Sequence, residues 1–411
     1  MRGGSFLSVG IDRINFYVPR FYLDLRELAQ ARQQDPDKYT IGIGQDQMAI
    51  APLEQDIIAM AANAAYPLLE EDDKDLIDMV LFATETSFDF SKAAAVYLHD
   101  LLGIQPYARA VEFKEACYAG TAALQMACDY VRLRPERKVL VLTSDISRYG
   151  LSSSGEVTQG AGAVAFVVSA NPSILAISSQ SLAYTSNQFD FWRPYYRREA
   201  LVDGKFSNQL YQDIFVRLMG QFLNIDRETI AELETIHFHL PYSKMGMKAL
   251  KALRDQNSDS LIQEKVDLWL ERYPQTTYLG RRVGNIYTGS LYLSLISSLI
   301  YQESFEPSHK LALFSYGSGA VAELLIGELQ DGYQKHLDIE SMLDQLDQRQ
   351  ALTVAQYEQL YQESIPVTED EFIVCQQATE PGFYLHRVDG HRRFYIFNKI
   401  NPNPKTEIRV E

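Results

Sequence analysis

The sequence predicts an α/β fold made of two duplicated halves, stacked as an α/β/α/β/α sandwich and followed by a C-terminal helical and hairpin appendage. Three observations predict it. Four segments recur in one order in two parts of the chain. The strand-like segments among them are rich in Val, Ile, Leu and Phe without strict alternation, the pattern of strands covered on both faces. Helix-like segments separate several of them, so each half is expected to be an α/β unit with a largely parallel sheet.

The recurring segments are read as follows. "LIDMVLFATET" (76–86) reads as a buried strand running into the helix-like "SKAAAVYLHDLLG", and "LETIHFHLPYS" (233–243) runs likewise into "KMGMKALKALRD". The helix-forming run after Cys117 has its counterpart after "VGNIYTGS" (283–290), where "LYLSLISSLI" keeps apolar residues at helical density. "KVLVLTSD" (138–145) matches "KLALFSYG" (310–317), and "QGAGAVAFVVS" (159–169) matches "GSGAVAELLIG" (317–327). The halves are placed at 8–170 and 171–330, with the site expected where strand ends and helix N-termini of both converge. Residues 331–411 turn polar and helical and close with "GFYLHRVDGHRRFYIF", a hairpin signal around Asp389-Gly390, so they are read as an appendage. The opening "MRGGSF" (1–6) has a tag-like composition and is set aside.

A chain of 411 residues is long enough for a large core, a size that suits an enzyme. Its 54 acidic against 38 basic residues give a net charge of −16, a field that repels nucleic acid and anionic membranes. An anionic ligand therefore needs a local basic patch. Three cysteines, Cys117, Cys128 and Cys375, are too few and too scattered for a disulfide framework or a closed zinc site, which suits a reducing cytoplasm. No apolar run reaches the ~20 residues that cross a bilayer, and no signal peptide is evident.

Cys117 opens a helix-like run, where the positive end of the macrodipole would lower a thiol's pKa and make a thiolate nucleophile. Free cysteine is also among the most buried residue types, so the stretch alone favours a structural role. Cys128 and Cys375 read as structural. His239 follows His237 at i+2, so on a strand both rings face one way; a metal site is discounted because no third ligand lies at a recognisable spacing. Glu85 ends a buried strand, where desolvation would make it a general base and a helix start would make it a cap. Asn285 in "GNIYTGS" and Ser318 in "SYGSGA" sit in glycine-punctuated turns that let backbone N–H groups approach a ligand.

Taken together, "VGIDRINFYVP", "DPDKYTIGIGQ", "FATET", "LLGIQPYAR", "KEACYAGTAALQ", "QGAGAVA", "DFWRP", "FHLPYSKMGMKAL", "VGNIYTGSLYLSL" and "SYGSGAVAE" resemble the hydroxymethylglutaryl-CoA synthase family in its bacterial mevalonate-pathway form. The resemblance runs from residue 9 to about 337 and implies the thiolase fold. It places the family's nucleophile on Cys117, its glutamate on Glu85 and its histidine on His239. It also implies ligand contacts at Asp35, Tyr149, Thr158 and Ser207, CoA-side lysines at Lys244 and Lys248, and contacts near the acyl oxygen at Asn285 and Ser318. His237 has no family role. Val157 stands where the family has proline, which loosens the assignment of Thr158.

The implied reaction joins acetyl-CoA to acetoacetyl-CoA through an acetyl-Cys117 intermediate, with ping-pong kinetics. Glu85 is assigned to removing the acetyl methyl proton, and His239 to polarising and protonating the ketone oxygen. CoA esters are the substrates, so no cofactor and no metal is implied, and a cytoplasmic homodimer is. Three rivals stand beside this reading: a ketoacyl synthase, which has no use for Glu85; a carrier-protein-dependent synthase of polyketide β-branching; and a catalytically silent scaffold of the same fold.

Overall fold

The computed structural model of the chain describes residues 7–303 and 305–399; the tag-like opening at 1–6 lies outside them. Nine strands carry the fold: β1 (Val9–Tyr17), β2 (Ile77–Ala83), β3 (Arg109–Phe113), β4 (Lys138–Ile146), β5 (Ala161–Ala170), β6 (Leu175–Thr185), β7 (Leu233–Phe238), β8 (Lys310–Gly317) and β9 (Val321–Leu329). They hydrogen-bond in the order β7-β8-β9-β6-β1-β5-β4-β2-β3. In the first half, β1 pairs antiparallel with β5, β5 antiparallel with β4, and β4 parallel with β2. In the second half, β6, β9, β8 and β7 repeat that sequence of pairings in the same senses.

The expectation of largely parallel sheets is thereby corrected: each half is mixed. A parallel pair needs a crossover, and β2 reaches β4 through helices. The links from β4 to β5 and from β8 to β9 hold no such crossover helix, so those neighbours run antiparallel.

The halves meet where β1 touches β6, over Gly10–Ala176 and Ile11–Leu175. A Cβ on Gly10 would lie 2.0 Å from the Leu175 carbonyl oxygen, so only glycine lets the strands close there.

Helices cover both faces. In the first half, α1 (Ile57–Ala65) and α2 (Ala94–Leu101) pack outside, in one cluster with Leu140 and Leu142 of β4. The alternate residues Val139 and Val141 face inward onto α3 (Ala119–Leu133). In the second half, α4 (Gly204–Ile225) and α5 (Met245–Gln256) pack outside with Ala312 and Phe314 of β8, while Leu311 and Leu313 face inward onto α6 (Ser290–Tyr301). That is the five-layered order, with α3 and α6 as the shared middle. Ser290 to Leu299 of α6 are all buried, which explains apolar residues at a density a one-sided helix would not need.

Their N-termini converge. A Cβ on Gly120, in the first turn of α3, would lie 2.7 Å from the Thr288 carbonyl just before α6, so the close approach requires the glycine. The approach brings the Cys117 loop and the Asn285 loop to one place.

The appendage is tied into both halves. In α7 (Ile339–Asp347), Gln345 accepts from the Val18 N–H (3.1 Å) and donates to the Phe16 carbonyl (3.0 Å), and Met342 and Leu346 enter the middle-layer core. The predicted hairpin is β10 (Gly382–Asp389) and β11 (Arg392–Asn398). Asp389 faces Arg392, so the two-residue loop is Gly390-His391, both at positive φ (53° and 61°), the geometry that two-residue hairpin loops favour. The three cysteines are free, with Cys128 and Cys375 buried as expected. No helix among the described residues is long and apolar enough to cross a membrane.

Candidate active site

Cys117 lies in the turn between β3 and α3, two residues before the helix begins. Ala116 is held at φ 42°, a conformation an L-residue enters at a cost, in the turn that presents the thiol to Glu85. The Cys117 thiol donates to Glu85 Oε1 at 2.9 Å. Glu85 follows the last residue of β2 by two, so the two strand ends deliver carboxyl and thiol to each other.

This pairing corrects the expectation of a thiolate made by the helix dipole. Burial, and then the Glu85 carboxyl itself, push the Cys117 thiol well above its ordinary value. Burial, and then Asp145, push Glu85 up to about 8. Desolvation outweighs a dipole worth at most ~2 kcal/mol, so the resting thiol keeps its proton and faces the group that can take it. The geometry also sets Glu85 beside the thiol, where it can act before any carbon–carbon bond forms.

Asp145, at the end of β4, holds this corner together, and sequence reasoning missed it. Its Oδ1 accepts from Thr84 Oγ1 (2.9 Å), the Glu85 N–H (2.7 Å) and Thr86 Oγ1 (2.8 Å). Its Oδ2 accepts from the N–H and hydroxyl of Thr288. One buried carboxylate thus joins the Glu85 segment of the first half to the Asn285 loop of the second. The available signal was an aspartate closing an apolar strand in "KVLVLTSD".

Across the site, Asn285 Nδ2 donates to the Tyr149 hydroxyl (3.0 Å). Asn285 Oδ1 accepts from the Tyr287 N–H and Ser290 Oγ, both at 2.9 Å, which fixes its amide. Burial, and then Cys117 and Glu85 facing it, raise the Tyr149 hydroxyl far above its ordinary value. Thr158 joins through its backbone: its carbonyl accepts from the Asn285 N–H (3.1 Å), while its hydroxyl is spent on the Gly155 carbonyl (2.9 Å).

His239 follows β7 directly, its N–H donating to Phe314 of β8 (2.9 Å). Among the described residues its Nδ1 is buried without a partner, and burial pushes its pKa down to about 3, so the imidazole is neutral. His237 shares the inward face, bonding Ser298 of α6, which is a structural role. Tyr211 donates to the His239 carbonyl (2.7 Å) and packs on Tyr316 (ring centroids 5.0 Å apart). Tyr316 donates in turn to buried Asp190 (2.7 Å), which also accepts from Ser207 Oγ (3.2 Å) and the Gly319 N–H (3.0 Å). Asp190 therefore draws the Ser207 helix and the Ser318 loop to the His239 wall; it too was missed, although it sits in "DFWRP". Arg193, two residues past "DF", donates to the Glu85 carbonyl.

Three predicted residues stand apart from this network. Asp35 is exposed and accepts from the Asp37 N–H (3.0 Å). Lys244 precedes α5 and donates through its N–H to Ile43 (3.2 Å), the end of the segment that follows Asp35. Lys248 is exposed, one turn further, with its ammonium on the Tyr242 hydroxyl (2.9 Å).

Sequence profiles described as the N-terminal and C-terminal parts of hydroxymethylglutaryl-coenzyme A synthase match residues 6–173 and 251–398. The chain is 48% identical over 366 residues to the hydroxymethylglutaryl-CoA synthase of Enterococcus faecalis, covering 89% of this chain and 94% of that one. It is 29% identical over 379 residues to a 3-hydroxy-3-methylglutaryl-ACP synthase of polyketide biosynthesis from Bacillus subtilis, covering 87% and 89%. A crystal structure of an HMG-CoA synthase complexed with CoA superposes with a TM-score of 0.89 at 39% identity, over 94% of this chain and 99% of that one.

Proposed function

Since the chain belongs to the hydroxymethylglutaryl-CoA synthase family, we infer that its half-buried thiol–carboxyl pair carries that family's reaction. The enzyme condenses acetyl-CoA with acetoacetyl-CoA and water, giving 3-hydroxy-3-methylglutaryl-CoA and free CoA, a step of the mevalonate route. The observation that carries the assignment of residues is the 2.9 Å hydrogen bond from the Cys117 thiol to Glu85.

As a carboxylate, Glu85 takes the thiol proton while sulfur attacks the acetyl carbonyl; the proton leaves with CoA, and acetyl-Cys117 remains. Acetoacetyl-CoA then enters, and Glu85, a carboxylate again, removes a methyl proton. The carbanion equivalent adds to the ketone carbon. Neutral His239 donates a hydrogen bond to the ketone oxygen, the kind of fixed dipole that stabilises a developing oxyanion. This replaces the expected full proton transfer from His239, because an imidazole neutral at rest is a hydrogen-bond donor first. The proton held by Glu85 balances the alkoxide formed, and water releases the product from Cys117. Lys244 and Lys248 supply the local positive charge that a chain of net charge −16 needs for an anionic ester.

The carrier-dependent relative is the more distant match, at 29% identity against 48%. Mass spectrometry after mixing with free acetyl-CoA tests the reading: one acetyl group on Cys117 is expected, and none in Glu85→Gln within the same time. Labelling only by carrier-bound acetyl would transfer the chain to the other reaction, and acetylation of Cys128 would overturn the nucleophile. The homodimer and the cytoplasmic setting complete the proposal; light scattering at micromolar concentration checks the first.

A further inference from the structure

The connection from β4 to β5, residues 147–160, carries Tyr149 and Thr158 into the site, yet its only regular piece is the short turn Glu156–Thr158. Gly150 and Ser152 within it have φ of 97° and 56°. A loop in this shape needs support from outside, because left-handed residues persist only where neighbours over-determine them. The support comes from α8 (Val354–Gln362) in the C-terminal appendage, a region to which the condensation chemistry assigns nothing.

Tyr357 of α8 is buried, with 1% of its surface exposed, and so are Gln159 and Glu156. Its hydroxyl donates to Glu156 Oε1 (3.2 Å) and accepts from Gln159 Nε2 (2.8 Å). Gln159 Oε1 then accepts from the Tyr149 N–H (2.8 Å). A hydroxyl has one proton. With that proton directed at Glu156, the free lone pairs can only receive the Gln159 amide N–H, and this turns the amide so that its oxygen faces Tyr149. Glu156 cannot drift, since Arg32 grips it at 2.8 and 2.7 Å and also reaches Glu358 of α8 (2.7 Å). Beside this chain, the Tyr361 hydroxyl accepts from the Gly150 N–H (3.1 Å) and its carbonyl accepts from Arg148 (2.8 Å).

We propose that Tyr357 is a positioning residue for the reaction: through Gln159 it fixes the backbone of Tyr149 and so the seat of the Tyr149 hydroxyl against Asn285, Cys117 and Glu85. The inference rests on the proposed reading of Tyr149 as part of the acyl site. Without the Tyr357 hydroxyl, the Gln159 NH2 loses its buried acceptor, and the amide, anchored only through its oxygen, no longer holds the Tyr149 N–H in one place. Tyr149 touches the site; Tyr357 does not, so its effect must travel through Gln159.

The test compares steady-state kinetics of the full chain in four forms: wild type, Tyr357→Phe, Tyr149→Phe and the double variant. Tyr357→Phe keeps the ring and its packing. It is expected to lower kcat about 3- to 30-fold, the range of a lost buried hydrogen bond, with KM for acetyl-CoA within about twofold, since that bond does not bear on CoA-ester binding. In the Tyr149→Phe background the same change is expected to cost nothing further, because the hydroxyl it positions is gone. Gln159→Leu reaches the same bond from the other side and must show the same pattern, including where Tyr357→Phe folds poorly. Near-wild-type kinetics of Tyr357→Phe beside an impaired Tyr149→Phe would overturn the positioning role alone. An equal loss in both backgrounds would also overturn it, since the hydroxyl would then act on the fold at large. A Tyr149→Phe enzyme with wild-type kinetics would instead remove the reading of Tyr149, and this inference with it.

Discussion

A thiol with a carboxyl group 2.9 Å away reacts only when the carboxyl is empty of its proton. Glu85, pushed up to about 8 by burial and by Asp145, is protonated at neutral pH in most molecules. Acetylation of Cys117 is therefore expected to rise as pH climbs through about 8, and the rise should be absent in Glu85→Gln, whose acetylation falls by ~10²-fold or more. Single-turnover transfer of labelled acetyl groups between pH 6 and 9 checks both. The same shift has a stability sign. A carboxyl whose folded value lies above its unfolded 4.5 leaves the native state holding the extra proton between 4.5 and 8, so that contribution to stability is lost as pH rises through that window. Glu85→Gln removes this loss. The variant should gain stability relative to wild type between pH 5 and pH 9 in denaturant melts, and no gain would show that the carboxyl is solvated. Asp145→Asn replaces an acceptor oxygen by a donor NH2 facing either the Thr84, Glu85 and Thr86 donors or those of Thr288. It should slow acetylation ~10- to 100-fold, the cost of donors left unsatisfied in a buried network.

At the scale of elements, Asp56 does two jobs. It caps α1, accepting from the Ile58 and Ala59 N–H groups (both 3.0 Å), and it anchors the C-terminal hairpin, accepting from Arg393 (2.8 Å) and Tyr395 (2.7 Å). Asp56→Ala loses a cap worth ~1 kcal/mol and leaves a mostly buried guanidinium unpaired, for a total of roughly 3–5 kcal/mol. The expected outcome is faster proteolysis within β10–β11 and a lower melting temperature. Acetylation of Cys117 at low temperature should stay near normal, because α1 lies in the outer layer, away from the thiol turn. Loss of acetylation with the hairpin still docked would mean that the outer layer sets the site.

For the whole molecule, two features bear on function: the joint between the halves and the charge. Gly10 at the β1–β6 contact admits no Cβ, since that atom would sit 2.0 Å from the Leu175 carbonyl. Gly10→Ala should cost ~1–3 kcal/mol or more through forced strand separation, read as a lower denaturant midpoint. The net charge of −16 opposes every anionic ester, so Lys244→Ala with Lys248→Ala should raise KM for CoA esters more than it lowers kcat. The KM gap between the double variant and wild type should narrow as salt is raised from 0.05 to about 0.5 M, since exposed charges are screened beyond ~4–5 Å there. An unchanged KM would make the pair an ordinary solvated face.

Sequence by itself determined what depends on local order. Strand runs buried on both faces, helices between them and their repetition gave two similar halves, because hydrophobic period and order along the chain are written in adjacent residues. The residue types with reactive chemistry were legible too: Cys117, Glu85 and His239 by resemblance, and the hairpin by its Asp-Gly. Tertiary structure decided what depends on residues far apart in the chain. The sense of pairing between β4 and β5 followed from a link without a crossover helix. The state of the thiol reversed, since the helix end that would ionise Cys117 is outweighed by burial beside Glu85, 32 residues away. Asp145 and Asp190, indistinguishable from other aspartates in one dimension, became junctions once five hydrogen bonds from two halves met on the first, and a strand, a helix and a loop met on the second. Protonation and preorganisation are set by the field and the partners at a point in space, and a chain of letters carries neither until it folds.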